Sequence, residues 1–337
     1  MYAKNNHKFW RKIFVTFLIV AILLALACGG LYLWLDSMVK ETETLDHATI
    51  TYSTDPSDAT AEKEDPFFSQ AEDIFKGENV INILLVGQDK RAGEEDQRSD
   101  SMILCTLNKT KKTLTMTSFL RDMWVYIPGF YNQRLNKTYE LGGFTLLNET
   151  LDYNFGVNAD YNVEIDFAGF MESVDLIGGL DVELTKEEAE YLNRRGNWDL
   201  EENQHWQLVE GVNHLNGSQT LAYTRIRKLD SDFGRTNRQR KVLATMLEKV
   251  KTLGVMDIYN LTKAILPKVT TDLKTPQVLG LIIDVLPVLS DLEVVSQRIP
   301  AKGAYSYAKK NGADVIVLSE KDLEKNKALL AEAMKED

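Results

Sequence analysis

Asn82-Ile-Leu-Leu-Val86, closed by Gly87, is the stretch that decides the architecture. A short apolar run that stops at glycine has the length and punctuation of a buried strand. Working outward, Met102–Leu107 and Thr113–Thr117 have the same character, and the polar residues 108–112 between them predict a turn. Further on, the pattern alternates between strand and helix. Phe144–Phe155 has helical spacing, Val163–Ile165 is strand-like, and Asp166–Ile177 is again helical, stopping at Gly178-Gly179. Asp181–Leu184 predicts a strand, Lys186–Arg195 a polar helix, residues 196–218 a loop and Ala222–Arg227 another strand. Arg235–Leu253 is a long helix with Val242, Met246, Leu247 and Val250 on one face. Two or three further helices and a strand at Val294–Ile299 complete the chain. Strands that alternate with helices predict an α/β or α+β domain in which helices cover a central sheet.

The residues before Val80 differ in kind. Residues 1–12 hold four basic residues and no acidic one, and the 23 residues from Ile13 to Leu35 carry no charge. That run rises roughly 34 Å as a helix, enough for a bilayer core. Ala25, Ala27 and Gly29 imitate a signal-peptide cleavage site, but Leu31–Leu35 continue the apolar run past it, which favours an uncleaved anchor. The positive-inside rule puts residues 1–12 in the cytoplasm and the rest outside, a single-pass type II protein in the cell membrane. Residues 36–78, with twelve acidic and three basic side chains, form an acidic stalk, and residues 79–337 form one large outer domain.

Composition narrows the function. The 337-residue chain is 44% hydrophobic and 26% charged, with formal net charge -11, which excludes a collagen, a wholly disordered chain and a multi-span membrane protein. Two cysteines and four histidines are too few for a zinc module or a disulfide framework, and Cys105 is simplest as a buried strand residue. His7, His47, His205 and His214 lie in no motif that suggests a Ser-His-Asp hydrolase, and no Walker-type phosphate loop occurs. Gly142-Gly143 and Gly178-Gly179 suit turns or helix caps better than phosphate cradles.

Two segments carry charge in a pattern that suggests chemistry. Gly87-Gln-Asp-Lys-Arg91 follows the first strand and Arg98-Ser-Asp100 precedes the second, so Asp89 and Asp100 fall at one end of the sheet, and Arg121-Asp122 follows the third. Farther along, residues 221–241 hold seven basic residues against two acidic ones, Asp230 and Asp232, within an acidic chain. On a strand Arg225 and Arg227 share a face, and on a helix Arg235, Arg238 and Gln239 share a side. Fixed guanidiniums suit a phosphate or pyrophosphate, and two carboxylates beside a phosphate suit Mg²⁺. The competing interpretation of either segment alone is a set of solvated ion pairs worth about 0–1 kcal/mol each. Nucleic acid is disfavoured as a partner by the exported position.

At these residues the chain resembles the LytR-CpsA-Psr family of cell-wall phosphotransferases. The matching blocks are Asn82–Arg91, Arg98-Ser-Asp-Ser-Met102, Ser118-Phe-Leu-Arg-Asp122, Val125-Tyr-Ile-Pro-Gly129, Leu135-Asn136 with Gly142-Gly143, and Ile177-Gly-Gly-Leu-Asp-Val182. Gly211 to Gly217, Leu221-Ala-Tyr-Thr-Arg-Ile-Arg227 and Asp232-Phe-Gly-Arg-Thr-Asn-Arg-Gln239 complete an ordered set over residues 80–245. The resemblance implies an α/β/α sandwich with a mixed central sheet, preceded by a single transmembrane helix and holding an apolar pocket for a polyprenyl chain. It implies transfer of a glycopolymer from an undecaprenyl-pyrophosphate carrier to peptidoglycan through a phosphodiester bond, with undecaprenyl phosphate released. By the same resemblance Asp89 and Asp100 would hold Mg²⁺. Arg91, Arg98, Arg121, Arg225, Arg227 and Arg235 would surround the pyrophosphate. Asp122 and Asp232 would orient arginines or help deprotonate the acceptor. Arg134, Asn136, Arg238 and Gln239 would help bind substrate. Arg134-Leu-Asn136 stands where the family often has Lys-Ile-Asn, and Arg238-Gln-Arg240 where it often has Arg-Gln-Gln. The rival functions are a tethered polyprenyl-phosphate binding protein without turnover, a regulatory protein, and a pyrophosphate hydrolase using the same site.

Overall fold

The computed structural model describes residues 33, 36–37, 43–44, 74, 76–88, 99–194 and 206–336, with backbone alone at 43–44, 88, 99–100, 255 and 259. Among the described residues the strands, in chain order, are β1 (Glu43–Thr44), β2 (Val80–Gln88), β3 (Ser99–Asn108), β4 (Thr113–Phe119), β5 (Trp124–Tyr126), β6 (Asn132–Arg134), β7 (Tyr161–Asp166), β8 (Leu180–Leu184), β9 (Gly211–Leu215), β10 (Val269–Thr271), β11 (Glu293–Ile299), β12 (Ser306–Lys310) and β13 (Ala313–Val317). The α-helices of eight residues or more are α1 (Lys137–Phe155), α2 (Phe167–Leu176), α4 (Gly217–Thr224), α5 (Asp232–Lys251), α6 (Val255–Ile265), α7 (Thr275–Val285) and α8 (Glu320–Met334); the shorter α3 is Lys186–Leu192.

The main sheet has the order β1-β10-β7-β2-β3-β4-β11 and is mixed: β2 runs antiparallel to β3 and parallel to β7, and β11 runs parallel to β4. Three two-stranded ribbons, β5-β6, β8-β9 and β12-β13, decorate it. The sheet is flanked by helices, as expected. On β2 the residues Val80, Asn82, Leu84 and Val86 are buried while Ile81, Ile83, Leu85 and Gly87 are only partly covered. This alternation follows from the two-residue period of a strand and separates two faces. One face, with Leu84, Val86, Met102 and Leu104, packs against Phe144, Leu147, Leu151 and Phe155 of α1 and against Leu330 and Met334 of α8. Each such fully buried side chain contributes about 1.5–3 kcal/mol. Polar residues on this face pair with one another: Thr106 Oγ1 donates to Asn82 Oδ1 and Gln297 Nε2 donates to Thr117 Oγ1, both at 2.8 Å. The other face, with Ile103, Cys105 and Met116, meets Leu243 and Ala244 of α5. Cys105 is buried as expected, and burial pushes its thiol up to about 12.

Local chemistry explains the helix limits. Asp166 caps α2 by accepting from Gly169 N–H at 2.7 Å, and Thr185 and Asn216 form capping boxes at α3 and α4. The run Phe144–Phe155 is helical as expected, but α1 begins earlier and turns sharply at Gly142-Gly143. Gly143 has φ 58 and ψ −147, a conformation available to glycine alone.

Two sequence expectations fail. Ala222–Arg227 is not a strand: Gly217–Thr224 is helix α4, Arg225 is its C-cap, and a tight turn follows. The helix is covered on nearly every side, so no polar face discloses its period. Residues 196–218 are not all loop either, since Gly211–Leu215 pairs with β8 as β9. Among the described residues no helix is long and apolar enough to cross a membrane. The run expected to do so, 13–35, lies outside the described residues apart from Leu33. Within the stretch expected as a stalk, Glu43–Thr44 adds a parallel edge strand to β10, and Asp36 accepts from Thr275 Oγ1 at 3.1 Å.

Candidate active site

The partly covered face of the sheet is where a cleft opens. Its floor is Leu85, Gly87, Ser101, Ile103, Val163 and Ile165; its walls are Phe167 and Phe170 of α2, Leu221 of α4 and Leu243 of α5. It encloses about 840 Å³, counting its open mouth. Its apolar lining ends at Arg225, Arg227, Arg235 and Gln239. An apolar trough closed by guanidiniums fits a ligand with a hydrocarbon tail and an anionic head.

Packing fixes these arginines. At Gly217, where α4 begins, a Cβ would come within 2.2 Å of the Met171 carbonyl oxygen, so only glycine lets α4 lie this close to α2. The Arg225 guanidinium at the end of α4 lies 4.7 Å from the centroid of the Phe167 ring, a cation–π contact. Gln239 Oε1 accepts from Ser101 Oγ at 3.3 Å, tying α5 to the end of β3.

Next to the arginines stands a pair of carboxyls. Arg121 Nε donates to Asp232 Oδ2 at 3.0 Å, and Arg235 Nη2 lies 3.4 Å from the same oxygen. Arg134 Nη1 lies 3.6 Å from Asp122 Oδ1. Asp122 and Asp232 are hydrogen-bonded to each other and shift in opposite directions. Burial and the hydrogen bond with Asp232 raise Asp122 above the usual carboxylate range, against the pull of Arg121 and Arg134. Burial also opposes ionisation of Asp232, but Arg235, the bond from Asp122 and Arg121 outweigh it and hold Asp232 low. Of the two, Asp122 holds a proton more tightly and Asp232 ionises more readily. Asn136 supports this corner through its backbone: its N–H donates to the Arg121 carbonyl at 3.1 Å.

The structure thus brings Arg121, Asp122, Arg134, Asp232 and Arg235 together, with Arg225, Arg227 and Gln239 on the adjoining cleft. It does not bring Arg238 to the cleft. That guanidinium is a structural clamp: Nη1 and Nη2 each donate to an Asp230 carboxylate oxygen at 2.8 Å, and Nη2 also donates to the Ile226 carbonyl at 2.8 Å. Arg240 is buried, with Nε donating to Ser296 Oγ at 2.7 Å. Asp89, Arg91 and Arg98 lie outside the described residues, as does the side chain of Asp100. Among the described residues no group of three His, Cys, Asp or Glu side chains is arranged to hold a metal. Gln88, which precedes Asp89, pairs with Ser99, which precedes Asp100, and Gly87 and Ser101 beside them line the cleft. The sequence makes the Phe and Leu residues of 144–177 candidates for the apolar pocket, and Phe167 and Phe170 line it; what spacing does not disclose is that the Phe167 ring also lies beneath Arg225, because that depends on how α2 packs on α4.

With this geometry in hand, comparison with known proteins is informative. Residues 42–332 match the LytR_cpsA_psr family. The chain belongs to that family. It is 34% identical to the Regulatory protein MsrR of Staphylococcus aureus (strain COL) over 176 residues, 52% of this chain and 50% of MsrR. It is 35% identical to the polyisoprenyl-teichoic acid–peptidoglycan teichoic acid transferase TagU of Bacillus mycoides (strain KBAB4) over 210 residues, 60% of this chain and 64% of TagU. The chain thus spans about half to just under two thirds of these relatives' lengths. Among solved structures, the family protein YwtF (TagT) with bound octaprenyl pyrophosphate superposes with TM-score 0.59 at 23% identity, covering 79% of this chain and 96% of that one. That likeness establishes the fold.

Proposed function

We infer that this protein transfers a glycopolymer from an undecaprenyl-pyrophosphate carrier to peptidoglycan through a phosphodiester bond and releases undecaprenyl phosphate. The observation that carries this reading is the apolar cleft closed by Arg225, Arg227 and Arg235, beside the Asp122–Asp232 pair. TagU is named for a reaction of this type, and TagT has been solved with a polyprenyl pyrophosphate. Arg91 and Arg98 complete the cationic rim in this reading, and the domain faces the cell exterior on an anchor at residues 13–35.

The lipid tail lies along Leu85, Ile103 and Phe170, and this remote binding holds the diphosphate in register. A sugar hydroxyl of the acceptor attacks the glycan-bearing phosphorus. The P–O bond to the lipid phosphate breaks, and that phosphate leaves into the arginine cluster. The transition state spreads charge over the phosphoryl oxygens, and fixed guanidiniums stabilise it electrostatically. Asp232 stays ionised and orients Arg121 and Arg235. Asp122, the member with the higher proton affinity, takes the acceptor proton once ionised, since a base poised above the ordinary carboxylate range is the better acceptor. Asp89 and Asp100 would hold Mg²⁺, which would neutralise charge on the diphosphate.

The test is incubation of the full-length protein in detergent with a lipid-pyrophosphate glycan, Mg²⁺ and peptidoglycan oligomers. Glycan bound covalently to the oligomer supports transfer. Free glycan phosphate points to hydrolysis, and intact lipid to binding without turnover.

A further inference from the structure

An aromatic cluster adjoins the Asp122–Asp232 pair, and the reaction outlined above does not use it. Phe233 follows Asp232 on α5, and its ring centroid is 5.1 Å from that of Tyr305. Tyr305 in turn stands edge-on to Tyr307, with centroids 5.6 Å apart. Phe233 and Tyr305 are half-buried against the main core, which explains them as packing; Tyr307 is 67% exposed, which packing does not explain. Arg298 of β11 lays its guanidinium 3.8 Å from the Phe233 centroid. Among the described residues no carboxylate comes within ion-pair distance of Arg298. Behind it, burial and the Arg298 charge lower the pKa of Arg240 to about 10. Two cations together with no anion between them favour an incoming negative group.

The cluster is fastened to the carboxyl pair from both sides. Phe233 is the neighbour of Asp232 in the chain. Tyr307 pairs across the β12-β13 ribbon with Ile316, whose N–H donates to the Asp122 carbonyl at 3.0 Å. In phosphoryl transfer the attacking and leaving oxygens lie roughly in line. If the lipid phosphate departs toward Arg225, Arg227 and Arg235, the attacking hydroxyl needs its own approach to the carboxyl pair, and this cluster adjoins that pair.

We propose that Phe233, Tyr305, Tyr307 and Arg298 form a binding subsite for the acceptor glycan. The C–H face of a hexosamine ring lies on the exposed tyrosine surface, and a carboxylate on the same strand meets Arg298. The proposal rests on the transferase reading given above. Its test titrates the full-length protein in detergent with soluble peptidoglycan oligomers, without donor, and separately with octaprenyl pyrophosphate. Tyr307→Ala removes an exposed side chain and leaves the melting temperature unchanged; Arg298→Gln keeps a hydrogen-bonding amide over Phe233. Each variant weakens oligomer binding about tenfold, and octaprenyl pyrophosphate binds both as it binds wild type. Oligomer binding at wild-type strength in both variants overturns the subsite, as does a wild-type protein that binds no oligomer, or a loss confined to the lipid. Failure of the wild type to bind octaprenyl pyrophosphate would instead overturn the transferase reading, while the oligomer titration still decides the subsite.

Discussion

The two faces of β2 are built from the same residue types and do different work. Leu84 and Val86 point into a filled core under α1 and α8, and Leu84 has no exposed surface. Leu85, between them, lines the cleft with Ile103. The difference lies in what covers each face. α1 and α8 cover one side, whereas on the other α2, α4 and α5 leave a trough between them, lined at its end by Arg225, Arg227 and Arg235. The contrast shows how a sheet yields a cleft: one face supplies stability, so the other is free to stay unfilled.

Four experiments would break or sharpen that contrast. The largest effect is expected from Arg227→Ala at the end of the trough, which should cut transfer about 1,000-fold with the denaturation midpoint unchanged; near-normal rates in the purified variant would remove Arg227 from the site. On the filled face, Leu84→Ala should cost about 3 kcal/mol in urea unfolding. On the open face, Leu85→Ala should cost well under half of that and should weaken octaprenyl pyrophosphate binding; equal losses of stability would erase the distinction between the faces. Arg238→Ala should destabilise the fold by about 2 kcal/mol, because Asp230 loses its partner and the 226–230 turn its anchor, while in the folded fraction lipid affinity stays near wild type. The smallest effect is a displacement along the pH axis. Because Asp122 lies above the ordinary carboxylate range and acts in its ionised form, the rising limb of the transfer rate should fall at higher pH than a free aspartate would give. In Asp122→Asn that limb should vanish, and an unchanged pH profile would show that another group takes the proton.

Much of this was legible in the sequence because the strands announce themselves. Apolar runs at 82–86 and 102–107, ended by glycine or by polar turns, locate the sheet centre, and the Asp166 cap and Gly178-Gly179 bound α2. The arginines of the site were visible as a local excess of charge. What failed did so for physical reasons. In α4 the run Thr220–Thr224 is buried throughout, and a helix without a polar face has no period to detect; the Asn216 and Gln219 capping box was the available sign. Arg225 and Arg227 do reach one cleft, but from a helix end and a turn rather than from a shared strand face. Arg238 shares a helix with Arg235 and Gln239, yet its partner Asp230 comes from the preceding turn, and spacing along α5 contains no information about that fork. Tyr305 and Tyr307 carried no motif at all; their interest arises only because β12-β13 is stitched to Asp122.

The most direct test of the central claim is to map where a photoreactive polyprenyl pyrophosphate attaches to the full-length protein by peptide mass spectrometry. The account predicts label on Leu85, Ile103, Phe167 or Phe170, lost on competition with unlabelled octaprenyl pyrophosphate and weakened in Arg227→Ala. Competed label confined to α6 and α7, with none on the open face of β2 and β3, would contradict it.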